Sequence, residues 1–287
     1  MAAASVAGLW ATNLWTGSSN ANWARDLRWD AIVALVLAVV ACARGQRRVT
    51  AEALLGGLAW LAADIALDRA ELSHASAPLA VVAASVAVLG CYRGIARRGA
   101  PHRATLLVAA GVAAVLAGVN LLAEPSSEAT FQVGSAVVSG ALGLVAAGAA
   151  VGAVSRVSRF RFAAWGVSSV AAVMTPWLLR EGHLPHVLGL TALLTVCAMI
   201  LAGPRPRRLR HWLRYPAAAA AALLVLPLAG LPAMIAVRFL EIGPVFTALA
   251  GRTTRPDAFD DYSLTMPAMV AGLVLGRLLV PLGRKVE

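Results

Sequence analysis

A short polar stretch in the second half of the chain, LLREGHLPHVLGL at 178–190, carries residue types that perform acid–base chemistry. It holds Arg180, Glu181, His183 and His186 between segments made almost entirely of Ala, Val, Leu and Gly. Histidine changes its charge near neutral pH, and i,i+3 spacing brings two side chains to one helix face. Two imidazoles also suit a metal ion, but Pro185 separates them and no third ligand is obvious, so we expect no metal.

Further ionisable and amide side chains recur in pairs at the ends of other apolar segments. The pairs, spaced i,i+4 or i,i+3, are Asp64 with Asp68, Asn120 with Glu124, and Arg238 with Glu241. Each spacing places both side chains on one helix face. One interpretation is a cavity lined by acids and gated by Arg180, Arg238 and the histidines. The other is that these are ordinary helix ends, wetted by lipid headgroups and water.

Asp260 and Asp261, in RPDAFDDYSLTMP, form another carboxylate pair of a type used in catalysis. The same acids also suit the first turn of the last helix, where they complement its dipole, and this interpretation is favoured. The sequence contains no GxSxG, HExxH or Gly-Lys phosphate motif. Cys42, Cys91 and Cys197 lack metal or disulfide spacing, so we expect inert thiols and no cofactor.

The composition is that of a chain that crosses a membrane many times. Of 287 residues, 60% are hydrophobic and only 14% are charged, whereas soluble domains carry about 25% charged residues. The mean hydropathy is +0.75. The net charge of +11 is spread in small groups between apolar segments rather than along one stripe. That pattern argues against nucleic-acid binding and is typical of membrane orientation.

The apolar segments predict an all-α, polytopic bundle of about nine transmembrane helices. They lie at 29–44, 52–69, 77–93, 104–123, 132–154, 162–179, 187–203, 216–238 and 264–283. Arginine clusters follow the first, third, fifth and seventh segments, while most of the 14 acidic residues lie on the opposite side. The positive-inside rule then predicts an outer N-terminus and a cytoplasmic C-terminus. We expect an outer segment at 1–28 and one membrane domain at 29–287.

Two local patterns predict how the helices bend and pack. Pro227 and Pro232 should kink the eighth segment just before Arg238. In the fifth segment, Gly148-x3-Gly152 and Ser139-x3-Gly143 have the spacing of close helix contacts in lipid. Packing inside one bundle is favoured over a dimer interface, and the oligomeric state stays open.

Several short motifs resemble those of exosortases and archaeosortases. They are Ser73-His74 before ASAPLAVV, Arg180-Glu181-Gly182 with Leu184-Pro185, and the later LPAMIAVRF that ends near Arg238. The layout resembles that family over most of the chain. The resemblance implies a polytopic enzyme of the bacterial plasma membrane that cleaves the C-terminal sorting tails of exported proteins on the outer face. It also implies a Cys nucleophile, an Arg that stabilises developing charge and a His near the last helix.

The chain departs from that family where the chemistry should occur. Val187 or His186 stands near the expected nucleophile, and Asp260, Asp261 and Tyr262 stand near the expected late histidine. Only Arg238 fits. A divergent member would use Arg238 for charge stabilisation, His186 as acid or base and Asp261 to orient it, or would bind a tail without cutting. The substrate-binding residues would be Arg180, Glu181, His183, Asp64, Asp68, Asn120, Glu124 and Glu241.

The sequence therefore predicts an integral membrane protein with an outward-facing polar site. That site would process or bind the C-terminal tail of exported proteins or a lipid-linked substrate, with membrane lipid as its surroundings. A transporter, permease or lipid flippase-like protein is the alternative. Proton-coupled transport is disfavoured because the ionisable groups lie at the outer helix ends rather than at the midplane of the membrane. A structural subunit of a membrane complex is the third hypothesis.

Overall fold

The computed structural model describes residues 2–12, 21–70, 76–122, 129–154, 158–178, 183–203, 212–251 and 264–283. Across these ranges the chain forms helices and no strand. The helices are α1 Ala2–Thr12, α2 Ala21–Cys42, α3 Arg47–Arg69, α4 Ser76–Ala96, α5 Arg103–Val119, α6 Ala129–Gly152, α7 Arg159–Leu178, α8 Leu184–Ala202, α9 Arg214–Val225, α10 Leu231–Phe239, α11 Ile242–Leu249 and α12 Thr265–Gly283.

Each apolar segment expected from the sequence coincides with helix in the structure. Six helical stretches in the described ranges are long and apolar enough to cross a membrane. They are α3, α4, α6, α8, the continuous run through α9 and α10, and α12. The described part of the chain is therefore all-α, with several apolar helices of the kind found in multi-pass membrane proteins.

The described parts of the N-terminal segment, residues 2–12 and 21–28, contribute to the bundle. Its first helix, α1, packs on α4 and α2, and buries Val6, Ala7, Trp10 and Ala11. The next helix, α2, begins at Ala21, several residues before the apolar run at 29–44. Charged side chains that precede this run therefore lie inside a helix.

The centre of the bundle is α5. Every residue from Ala109 to Val119 is buried, and α2, α6, α8 and α12 pack around it. This helix is built from Ala, Gly, Val and Leu, so neighbouring helices approach closely, which is how helix pairs gain packing energy in lipid.

The helices α5 and α12 approach each other so closely that their backbones touch. A Cβ atom at Gly111 would lie 2.6 Å from the Gly276 nitrogen, and one at Gly272 would press on the Val112 backbone. A Cβ at Gly276 would likewise meet the backbone of Val108. The close approach is possible because Gly272-x3-Gly276 presents no side chain at the crossing. The spacing of small residues had pointed to α6 instead, and this pair was not predicted.

Of the two glycines compared in α6, Gly143 lies at a close helix contact inside the bundle and Gly148 does not. A Cβ at Gly143 would lie 2.6 Å from the Ala172 Cβ on α7, whereas Gly148 has open space around it. Gly143 thus supports packing within the bundle, as favoured by the sequence.

The eighth predicted segment is interrupted at its prolines. A π-helical turn at Leu226–Gly230 separates α9 from α10, and the Leu231 N–H donates to the Leu226 carbonyl. Pro227 lies within this turn. Proline removes a backbone donor and crowds the preceding turn, and a widened turn relieves both effects.

Substituting Gly276 by Ala should destabilise the bundle by about 1–3 kcal/mol, since the added methyl meets backbone that no side-chain rotation can clear. The matched control is Gly148→Ala, where nothing lies within 4 Å of the added atom and helix propensity favours Ala. Thermal unfolding of the detergent-purified proteins measures both effects. Equal midpoints for the two variants would contradict a backbone contact at Gly276.

Candidate functional site

The fully buried charges of the described chain gather in one place, at the N-terminal half of α2 and the C-terminal half of α3. We call this set the charged layer. Its members are Arg25, Asp26, Arg28 and Asp30 of α2, with Asp64 and Asp68 of α3. Each is at most 6% exposed. Asp64 and Asp68 were expected in a site from the sequence, and the structure brings both onto one partner.

That partner is the guanidinium of Arg28, which bridges the two carboxylates. Arg28 Nε donates to Asp64 Oδ1 at 2.8 Å, and Arg28 Nη2 donates to Asp68 Oδ2 at 3.1 Å. The i,i+4 spacing of the two aspartates aims both side chains at α2. A buried charge is tolerated when it is paired and hydrogen-bonded in this way.

Two indoles complete the shell around Asp64. Trp10 Nε1 of α1 donates to Asp64 Oδ1 at 2.8 Å, and Trp29 Nε1 donates to Oδ2 at 3.3 Å. The Trp10 ring also meets Trp60 edge-on, with 5.3 Å between centroids. The carboxylate of Asp64 therefore ties α1, α2 and α3 together.

The remaining charges of α2 reach toward the C-terminal part of the chain. Arg25 Nη1 donates to Thr247 Oγ1 of α11 at 2.8 Å. The Leu264 N–H, just before α12, donates to Asp26 Oδ2 at 3.0 Å. The charged layer thus joins α1, α2 and α3 to α11 and α12, which are far apart in sequence.

Asp30 differs from the other members of the layer. It is 3% exposed and its carboxylate lies against the hydroxyl of Thr265. Its Oδ1 atom is buried and has no hydrogen-bond partner among the residues that the structure describes. The layer contains two guanidiniums and four carboxyl groups, so acidic side chains outnumber basic ones. Asp30 is the carboxylate that still offers a buried acceptor.

An apolar groove begins at this layer and runs along the side of the bundle. It has a volume of about 480 Å³ and lies between α2, α3, α5 and α12. Trp29, Leu61 and Thr265 line the end near the charged layer, and Thr50 and Thr105 line the other end. Nearly all other lining residues are Val, Leu, Ile, Met or Ala.

Asn120, another residue expected in the site, bonds instead to α6. Its Nδ2 donates to the Ser135 carbonyl at 2.9 Å and to Ser139 Oγ at 3.1 Å, and Ser135 Oγ donates to the Asn120 carbonyl at 2.7 Å. These bonds between α5 and α6 give Asn120 a role in helix packing.

The histidine pair lies at the start of α8. The rings of His183 and His186 are 5.7 Å apart, with His183 exposed and His186 half-buried. The next residue, Val187, is fully buried in the core. Of the two positions near the nucleophile implied by the family resemblance, only His186 retains access to the surroundings.

Arg238 and Glu241 are both exposed at the end of α10. Glu241 adopts a left-handed backbone conformation, with φ of 50°, in the bend before α11. Within the described ranges, no three His, Cys, Asp or Glu side chains are grouped to hold a metal ion. The expected site residues that lie outside the described ranges are Arg180, Glu181, Glu124, Asp260 and Asp261.

Arg28, the central cation of the layer, was not predicted from the sequence, and neither were the roles of Trp10 and Trp29. Trp10 and Arg28 were assigned to an outer segment at 1–28, and Trp29 was taken as the first residue of the apolar run at 29–44. The available signal was the spacing in NWARDLRWDAIV, where charges at i,i+3 and i,i+4 alternate with Trp and Leu as in a buried helix face.

No family model, curated protein or solved structure matches the chain.

Asp64→Asn should destabilise the fold by about 3 kcal/mol, because it removes the charge that compensates buried Arg28. Glu52→Gln is the control. Glu52 pairs with Arg48, Arg93 and Arg97 at a partly exposed site, where such pairs contribute about 0–1 kcal/mol. Thermal unfolding in detergent compares the two. A similar loss of stability in both variants would show that the buried Arg28–Asp64 pair stabilises the fold no more than an exposed pair does.

Proposed function

We propose that this protein is a multi-pass membrane protein that binds a lipid-linked substrate from the side of the bundle. The apolar groove would hold the hydrocarbon chain, and the charged layer would contact the polar group. The proposal rests on Trp29, where the apolar groove and the charged layer meet. Its indole N–H donates to Asp64 of the charged layer, while its side chain lines the groove.

The dimensions of the groove support a hydrocarbon occupant. Its lining on α2 extends from Trp29 to Val40, roughly 16 Å at 1.5 Å per residue. This is about half of the roughly 30 Å hydrocarbon thickness of a bilayer, the length that one leaflet gives to a lipid chain. Leu54 and Leu58, which line the groove on α3, are more than half exposed, so the groove opens sideways.

The charge of the layer indicates the kind of polar group. Carboxyl groups outnumber guanidiniums in the layer, which disfavours a bare anion at this end. Thr265, which lines the groove, hydrogen-bonds to Asp30, and the buried Oδ1 atom of Asp30 has no partner among the described residues. A polar group rich in hydroxyl or amine donors, such as a lipid-linked sugar, fits this chemistry.

Substituting Leu58 by Trp should block the groove and lower lipid binding about tenfold, a loss of about 1.4 kcal/mol. Leu55→Trp is the control, because Leu55 is 67% exposed on the same helix and does not line the groove. Native mass spectrometry of delipidated protein, titrated with a polyprenyl-linked sugar and separately with a diacyl phospholipid, measures binding. Equal binding by both variants, or none by the wild type, would overturn the proposal.

The proposed topology has nine membrane crossings, with the charged layer toward the outside. The arginines at the opposite helix ends would then face the cytoplasm, as the positive-inside rule expects. Cysteines introduced at His183 and at Gly99, both exposed, test this in a cysteine-free background. A membrane-impermeant maleimide should label His183→Cys on intact cells and Gly99→Cys only after permeabilisation. The reverse pattern would contradict the orientation.

Exosortase-like cleavage stays a prediction beside lipid binding. It would need His186 as acid or base and Arg238 to stabilise negative charge, with Asp261 orienting the histidine. The half-buried position of His186 at the start of α8 is compatible with that role. A permease, a flippase-like protein and a structural subunit of a membrane complex are the other candidate functions.

A further inference from the structure

The C-terminal ends of α2 and α4 lie directly against each other, and two glycines of α4 allow this approach. A Cβ atom at Gly94 would lie 3.1 Å from the Val39 carbonyl oxygen and 3.3 Å from the Cys42 Cβ of α2. One turn earlier in α4, a Cβ at Gly90 would lie 3.2 Å from the Val39 side chain. The two helices are therefore in van der Waals contact at the last turn of α2.

Each helix contributes a cysteine to this contact. Cys42 is the last residue of α2, and Cys91 lies three residues before Gly94, toward the same side of α4. The thiols of Cys42 and Cys91 lie within hydrogen-bond reach of each other. A disulfide joins Cβ atoms about 3.5–4.5 Å apart. Two thiols already in contact on adjoining helices are close to the geometry that this bond requires.

The surroundings of the pair suit a reactive thiol. Cys42 and Cys91 are both half-buried, so a small reagent has partial access to them. Arg98, just after α4, places a positive charge near Cys42. Reactive cysteines typically occupy partly exposed, electropositive surroundings of this kind. The third cysteine, Cys197, lies on α8, which packs mainly on α5, α6, α7 and α9 rather than on α2 or α4.

We propose that Cys42 and Cys91 form a reversible disulfide between α2 and α4 by exchange with a low-molecular-weight disulfide such as glutathione disulfide. One protein thiolate attacks a sulfur of the reagent, whose S–S bond breaks and releases one thiol. The second protein thiolate attacks the resulting mixed disulfide and releases the other thiol. Two protein thiols are oxidised, one reagent disulfide is reduced, and the two protons of the protein thiols end on the released products.

In the proposed topology this end of the bundle faces the cytoplasm, where thiols are kept reduced, so the disulfide would form only under oxidising conditions. The enclosed segment, residues 43–90, contains all of α3, which lines the apolar groove. The sequence predicted inert thiols because the contact of Cys42 with Cys91 joins two helices and leaves no local spacing pattern. The inference does not depend on lipid binding in the groove.

The test equilibrates the purified full-length protein with glutathione disulfide at fixed glutathione and then counts free thiols with a maleimide under denaturing conditions. The wild type should fall from three free thiols to one, and peptide mass spectrometry should find Cys42 linked to Cys91. Because the second exchange step is intramolecular, this should need about tenfold less glutathione disulfide than modification of Cys42 in Cys91→Ser. Cys197→Ser is the matched control, and it should fall from two free thiols to none.

Thermal unfolding supplies a second measurement. Oxidation should raise the unfolding midpoint of the wild type and of Cys197→Ser, because a cross-link restricts the unfolded chain, and dithiothreitol should reverse the rise. Cys42→Ser should show no such rise. The thiol count of the wild type decides the proposal even where a variant fails to fold. The proposal is wrong if all three wild-type thiols stay free, if the wild type keeps glutathione on Cys42, or if Cys197 enters disulfides as readily as Cys91.

Discussion

Arg28 lies between two aspartates in the interior of a bundle whose other fully buried side chains are nearly all apolar. Moving a guanidinium and a carboxylate out of water costs several kcal/mol for each ion, and only close pairing with further hydrogen bonds offsets that cost. Asp64 receives four hydrogen bonds, from Arg28 and from two tryptophans. The arrangement is intolerant of displacement, so it fixes the register of α3 against α2 at this end.

That constraint explains the shape of the surface around α3. Few residues of α3 are buried, and apart from Val49 they are the two aspartates of the charged layer. Further along, Gly57 allows α3 to approach Val36 of α2. The groove toward α5 and α12 lies on one side, and a second groove of about 400 Å³ toward α4 lies on the other. The ion pair thus anchors the helix that lines both grooves.

The sequence predicted the helical class and the apolar segments because hydrophobic length is a strong local signal. It also placed Asp64 and Asp68 on one face, since their i,i+4 spacing is a property of a single helix. Their partner was not predictable in the same way. Arg28 is 36 residues away from Asp64, and its charge shortened the predicted span instead of marking it as the buried cation. The contact of Gly111 with Gly276 was missed for the same reason, because the pairing of two distant helices is not determined by the pattern of either helix alone.

The two ends of the bundle differ in charge, with acidic side chains in excess at one end and arginines at the other. At the charged layer, carboxylates outnumber guanidiniums, and one buried oxygen of Asp30 lacks a donor among the described residues. At the end of α8, three arginines of like charge gather, and one buried nitrogen of Arg214 lacks an acceptor within the same ranges. Each atom costs free energy that an apolar side chain would not, and so do other buried polar atoms of the described ranges, such as Asn120 Oδ1 and Thr191 Oγ1. At Asp30, which lies beside Thr265 of the groove, a polar group of the proposed lipid-linked substrate would offset that cost.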